Sequence, residues 1–113
     1  MRQCDIIEAI TALVATPELW VKDTCARDRN GYVVSSFSRD AKAFSLDAAI
    51  NKVMRDHHIP RDEEFAIRKI ILDILVKRKF STVTDFNDSS RTTHNDILTV
   101  MNDALSEVWP NHI

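Results

Sequence analysis

The chain has 113 residues, of which 44% are hydrophobic and 28% are charged, and its formal net charge is −2. This length and balance predict a single folded domain over residues 1–113 and exclude an intrinsically disordered chain. The small negative charge gives no general reason to expect a nucleic acid or an anionic membrane as a partner.

The first predicted element is a helix from about Gln3 to Ala15, on which apolar residues recur at helical spacing. Thr16-Pro17 ends it, because a residue that precedes proline is pushed out of the α region. A β-hairpin follows, with Trp20 to Arg27 as one strand and Tyr32 to Ser36 as the returning strand. Asn30-Gly31 contains the only glycine of the chain and predicts a type I′ turn, in which both residues have positive φ.

The second helix is predicted from about Asp40 to His57 and is broken at Ile59-Pro60. The third helix, from about Pro60 to Lys79, has acidic residues in its first turn and basic residues in its last turn, as the helix dipole favours. Its apolar arc is the widest in the chain. We therefore expect the third helix to lie at the centre of the core.

Residues Ser81 to Thr92 form a predicted polar connector. Thr93 then caps a fourth helix in a Thr-x-x-Asp box with Asp96, and Trp109-Pro110 ends that helix. The predicted fold class is therefore α+β and mainly helical. About four helices pack around the central third helix, and one β-hairpin lies between helices 1 and 2.

The hairpin, the second helix and the connector each carry a motif that relates this chain to others. Three motifs stand in order along it: Trp20-x-Lys22-x-x-x-Ala26-Arg27-Asp28-x-Asn30-Gly31, then Phe44-Ser45-Leu46-x-Ala48-Ala49-Ile50, then Asp85-Phe86-Asn87-Asp88-x-x-Arg91-Thr92 with Asp96-Ile97. Together they resemble an uncharacterised family of small bacterial and phage proteins. The chain departs from the family pattern at four positions, with Phe44 and Phe86 in place of tryptophan, Ser45 in place of cysteine and Ala48 in place of glycine. The resemblance implies a shared fold and carries no activity.

Six residues of the hairpin and connector are candidate binding residues. They are Trp20, Arg27, Asp28, Asn87, Asp88 and Arg91. If the two segments meet, their arginine and aspartate side chains form a cluster that could bind a ligand or supply carboxylates for acid–base chemistry. The structural alternative is that Asp28, Asn87 and Asp88 bond the neighbouring backbone as Asx turns.

The histidines and cysteines do not predict a metal or catalytic site. The adjacent pair His57-His58 points to different sides of a helix, so it makes a poor chelate with His94 or His112. Cys25 has no histidine base nearby in the sequence, and we interpret it as a packing residue. A single glycine also excludes a glycine-rich phosphate loop. We predict no catalytic residue, no metal and no cofactor.

The cysteines and the apolar segments also indicate the cellular compartment of the protein. Cys4 and Cys25 do not make a disulfide framework, so we expect reduced thiols and a cytoplasmic protein. Asp5 and Glu8 interrupt the N-terminal apolar stretch, which therefore does not resemble a signal peptide. No apolar run approaches the roughly 20 residues that a membrane span needs, and no membrane partner is expected.

These observations favour a small soluble protein-interaction or regulatory module, such as an accessory protein of a phage or mobile element. We expect a protein partner, and a homo-oligomer is compatible with the sequence. The surface would comprise the hairpin and the connector, and the aromatic residues Trp20, Tyr32, Phe37 and Trp109 could mark it. One alternative is a small enzyme or ligand-binding protein that uses the Arg/Asp cluster. The other, a nucleic-acid-binding helical domain, is disfavoured because acidic residues interleave with the cations of the third helix.

Overall fold

A computed structural model describes residues 1–109, so Pro110 and His112 lie outside the described residues. Within residues 1–109 there are five α-helices, three short β-strands and one 3₁₀ helix, Pro17–Leu19. The α-helices and strands are α1 Gln3–Leu13, β1 Ala26–Asp28, β2 Val33–Val34, β3 Ala41–Phe44, α2 Leu46–Asp56, α3 Arg61–Lys77, α4 Val83–Asp88 and α5 His94–Val108. The predicted class, α+β with helix dominant, is confirmed.

The sheet has a third strand where the sequence predicts the start of the second helix. β3 pairs antiparallel with β1, which therefore lies in the middle of the order β2-β1-β3. Ser45 then caps α2, because its hydroxyl accepts a hydrogen bond from the backbone N–H of Ala48. The helix begins at Leu46 and not near Asp40, because pairing with β1 overrides the helix propensity of the alanines that precede the cap.

The first strand of the hairpin is much shorter in the structure than the predicted strand from Trp20 to Arg27. Only Ala26–Asp28 form strand β1, while Trp20 makes an isolated parallel bridge with Phe44. The backbone N–H of Val21 donates to Phe44 O at 3.1 Å. The segment before β1 therefore crosses the end of the sheet and does not extend the hairpin.

The hairpin turn exists, but its type differs from the prediction. Gly31 has φ +87°, whereas Asn30 is not among the residues with positive φ. Gly31 N donates to Asp28 O at 3.0 Å, and Asp28 N donates to Tyr32 O at 2.9 Å. This is a three-residue loop, a type I turn followed by a left-handed glycine that forms a bulge, and not the type I′ turn that Asn-Gly favours.

The connector contains α4, which the sequence does not predict. The Thr82 hydroxyl caps it by accepting from Asp85 N, and Phe86 is buried against the core. The core itself is formed by large apolar side chains of α1, α2, α3 and α5, including Ile7, Ile10, Ile50, Ile71, Ile97 and Met101. In the part of the chain that the structure describes, no helix has the length and apolar character that a bilayer span requires.

The apolar arc of α3 is wide, but only part of it is buried. Ile67, Ile71 and Leu75 are fully enclosed in the core. Phe65, Leu72 and Val76 lie on another side of the helix and are exposed. The width that predicts a central helix therefore arises from two stripes, one internal and one on the surface.

Candidate functional site

Asn87 joins the connector to the segment before β1. Its side chain is 1% exposed, and its Oδ1 accepts from Trp20 Nε1 at 2.7 Å and from Leu46 N at 2.9 Å. Its Nδ2 donates to Val21 O at 3.0 Å and to Asp88 Oδ1 at 2.9 Å. One buried amide thus links α4, the start of α2 and the Trp20–Val21 segment, with its donors and its acceptor all engaged.

Asp88 and Lys22 extend the same connection. Asp88 Oδ1 also accepts from Asp23 N at 2.8 Å, and Asp23 has a φ of +65°. Lys22 Nζ donates to Ser89 O at 2.7 Å and lies 5.4 Å from the centre of the Trp20 ring. These bonds hold the backbone of residues 20–23 in an irregular path against α4. Trp20, Asn87 and Asp88 therefore form one structural network.

Arg27 and Asp28 make their hydrogen bonds within the hairpin. Asp28 Oδ1 accepts from the backbone N–H groups of Asn30 and Tyr32, both at 2.9 Å, as an Asx turn does. Arg27 donates to Gly31 O at 2.8 Å. Both side chains thus stabilise the loop on which they lie.

The four charged side chains of the predicted Arg/Asp cluster are not bonded to one another across the two segments. Over residues 1–109, neither a hydrogen bond nor an ion pair joins Arg27 or Asp28 to Asp88 or Arg91. The guanidinium of Arg91 lies 5.4 Å from the centre of the Phe80 ring. The network at Asn87 and the hairpin loop are therefore two separate arrangements.

A recess of about 220 Å³ lies beside the Asn87 network. Its lining residues are Asp23, Thr24, Cys25, Ser45, Asp47, Thr84, Asn87 and Asp88. Asp47 pairs with Arg68 at 3.1 Å, and the bonded oxygen of Asp88 already serves Asn87 and Asp23. The interpretation of Cys25 as a packing residue is wrong, because its side chain is exposed in this recess. No histidine is among the lining residues to serve as its base.

His94 is close to Trp20 and has a structural contact of its own. Its Nε2 lies 2.7 Å from Val14 O, and its ring centre lies 6.0 Å from that of Trp20. Among residues 1–109, no group of three or more histidine, cysteine or acidic side chains is arranged to hold a metal ion.

The open edge of β2 is a feature that residue motifs did not identify. Because Asp28 N bonds Tyr32 O, the next pair of the ladder, Arg27 and Val33, is a non-hydrogen-bonded pair. The N–H and C=O of Val33 therefore point away from β1, toward the outer edge of the sheet. The Val33 side chain is 62% exposed and that of Tyr32 is 71% exposed. Tyr32 could be recognised in the sequence as an aromatic beside a turn, whereas the edge position of Val33 depends on the strand order.

Charged residues surround a second opening near the hairpin loop. A cleft of about 820 Å³ is lined by Asp28, Arg29, Asn30, Arg39, Asp40, Ala41 and Lys42. The cations Arg29, Arg39 and Lys42 outnumber the acids, and Asp28 is already engaged in the turn. Because Ala41 pairs with Asp28, Arg39 and Lys42 lie on the β3 side of β1, whereas Arg29 lies in the loop that leads into β2.

Residues 2–107 match the model of a family of unknown function. The kinship with an uncharacterised family, expected from the motifs, is thereby confirmed. The comparisons with curated proteins and with solved structures found no match.

Proposed function

The chain belongs to that family, DUF6197, whose function is unknown. We propose that the protein is an interaction module, which binds an extended segment of a protein partner along the open edge of β2. The observation that carries this proposal is the outward-facing backbone of Val33 beside two exposed apolar side chains. An unpaired strand edge is a template for another strand, and β-strand addition is a common mode of peptide recognition.

Two cations beside the edge, Arg27 and Arg29, support a partner segment that carries acidic side chains. Arg27 is in register with Val33 and therefore shares a face of the sheet with it. Arg29 lies in the loop that joins β1 to β2, whereas Arg39 and Lys42 of the cleft lie across β1, at β3. Main-chain hydrogen bonds would supply affinity in this mode, and the cations would select the partner's side chains.

In this proposal the candidate residues have two tasks. Arg27 and Asp28 shape the binding loop, whereas Trp20, Asn87 and Asp88 position the segment that leads into β1. Arg91 packs on Phe80 and takes no part. The assignments to regulation, to the cytoplasm and to a phage or mobile element stay predictions from the sequence.

The edge is tested by removing one N–H group. Val33→Pro deletes the outward donor without removing a ladder bond, because the N–H of Val33 faces away from β1. Proline is also tolerated on edge strands. Val33→Thr keeps the donor and is the matched control. We expect wild type and Val33→Thr to capture the same protein from a host lysate and Val33→Pro to lose it, with circular dichroism confirming that all three are folded.

Capture of the same protein by Val33→Pro at undiminished yield would contradict the β2 edge as the binding site. The alternatives give different results in the same assay. A nucleic-acid-binding domain would retain nucleic acid with an affinity that falls steeply as salt rises. A small-molecule enzyme or binding protein would capture no protein in any of the three forms.

A further inference from the structure

The exposed side of α3 carries an apolar ridge that the core does not use. Phe65 is 70% exposed, Leu72 36% and Val76 56%. Their spacing of seven and then four residues places them on one side of the helix. At the rise of an α-helix, the ridge is about 16 Å long. Three large apolar side chains in a row on an exposed face are more than scattered surface residues require.

One flank of this ridge carries charges of alternating sign. Asp62, Lys69, Asp73 and Lys77 are all exposed and fall on the same flank at helical spacing. Lys69 and Asp73 form an ion pair at 2.9 Å within the helix. From the N-terminal end of α3 the four charges are negative, positive, negative and positive. From the C-terminal end the order is the opposite, positive, negative, positive and negative.

This order makes the flank complementary to itself in one orientation. In an antiparallel pair of α3 helices related by a twofold axis, the same flank of each helix meets the other. Asp62 then lies opposite Lys77, and Lys69 opposite Asp73, on both sides of the axis. In a parallel pair related by a twofold axis along the helices, this flank would instead face the other flank of the second helix, and the self-complementarity would not arise. The helix dipoles also favour the antiparallel arrangement.

We propose that the ridge is a self-association surface and that its occupant is a second copy of this chain, packed with α3 antiparallel to α3. The ends of the two ridges then meet, Phe65 on Val76, and Leu72 lies near the twofold axis. Such an isologous contact is the commonest way for a soluble protein to form a dimer. Three apolar side chains make a smaller contact than the roughly 800 Å² per partner of a stable interface, so the dimer dissociates on dilution.

Sedimentation equilibrium of the full chain over a range of concentrations tests the dimer. We expect a monomer–dimer equilibrium for wild type and, for Leu72→Glu, a dissociation constant raised by about tenfold or more, because a charge would be buried at the axis. Phe37→Glu places the same charge at an apolar side chain of similar exposure, 43% against 36% for Leu72, away from α3, and should leave the equilibrium unchanged. A wild-type chain that stays monomeric up to about millimolar concentration would overturn the proposal.

A charge exchange tests the antiparallel register separately. Lys69→Glu alone sets a carboxylate opposite Asp73 of the second copy, and Asp73→Lys alone sets an ammonium opposite Lys69, so each variant should dimerise more weakly than wild type. Mixed in equal amounts, the two variants restore both opposite-charge pairs and should form a heterodimer. Weakened homodimers with no heterodimer would contradict this register. Circular dichroism confirms folding, since both substitutions are on the surface.

This surface is independent of the β2 edge. Leu72→Glu should keep the protein partner that wild type captures, and Val33→Pro should keep the monomer–dimer equilibrium. If one of the two proposals fails, the result expected for the other is therefore unchanged, and the two failures can be told apart.

Discussion

At the scale of single residues, Asn87 has the largest structural task of the candidate residues. It is buried and engages both its oxygen and its nitrogen, whereas Arg27 and Asp28 bond only within their own loop. Removing a buried partner leaves the opposite donors unsatisfied, and this costs more than the bonds themselves contribute. The side chain of Trp20 and the first N–H of α2 are the donors concerned.

We therefore expect Asn87→Ala to lower the free energy of unfolding by about 2–3 kcal/mol. The measurement is urea denaturation followed by circular dichroism. Asn102→Ala, at an exposed position of α5, is the matched control and should change stability by less than about 0.5 kcal/mol. Equal effects of the two substitutions would mean that the Asn87 hydrogen bonds contribute nothing specific.

At the scale of elements, the start of α5 is a complete capping box. Thr93 N donates to Asp96 Oδ2 at 2.9 Å, and Asp96 N donates to the Thr93 hydroxyl at 3.3 Å. The backbone hydrogen bond from Thr93 lowers the pKa of the Asp96 carboxyl below its ordinary value, and the Thr93 hydroxyl and Arg78 act in the same direction. Since the folded pKa is below the unfolded one, the ionised carboxylate stabilises the fold above the unfolded pKa. This contribution is lost as the pH falls through the folded pKa.

Asp96→Asn should therefore lower the free energy of unfolding at neutral pH by about 0.5–1 kcal/mol. The difference from wild type should shrink as the pH falls below about 4, where the carboxylate begins to be protonated in the unfolded chain. Urea denaturation at several pH values measures it. Asp103→Asn, on an exposed part of the same helix, is the matched control for the loss of one carboxylate. A difference independent of pH would assign the effect to helix propensity.

The elements that the sequence predicts well are those whose signals are local. The Thr93–Asp96 box and the proline after α1 mark helix ends through neighbouring residues alone. β3 and α4 have no such signal. Ala41–Phe44 becomes a strand only because β1 lies beside it, and a helix of six residues is too short to show a periodic pattern.

In the candidate site, too, the contacts between neighbouring residues could be predicted and the long-range contacts could not. The Asx turn at Asp28 follows from its place before Asn30-Gly31. The bond between Trp20 and Asn87 joins residues 67 positions apart, and no spacing in the sequence indicates it. The exposed ridge of α3 was hidden for another reason. Apolar residues of a helix look alike in sequence whether they face the core or a second molecule.

At the scale of the whole molecule, the Asn87 network connects the sheet region with the helical core. It ties α4 and α2 to the segment that enters β1, while Phe86, next to it, is buried in the core that α1, α3 and α5 share. A chain connected in this way should unfold in one step. We expect fluorescence of the tryptophans and far-UV circular dichroism to give coincident thermal transitions at micromolar concentration. Two separate midpoints would show that the sheet region unfolds independently of the helices.

The contrast between the two cysteines has a practical consequence. Cys4 is 2% exposed, whereas Cys25 is exposed beside Asn87 and Asp88. A thiol-reactive dye should therefore label the native chain at a single known point, with no engineering of the sequence. That label lies immediately before β1, so its emission would report in real time on ligand docking at the neighbouring strand.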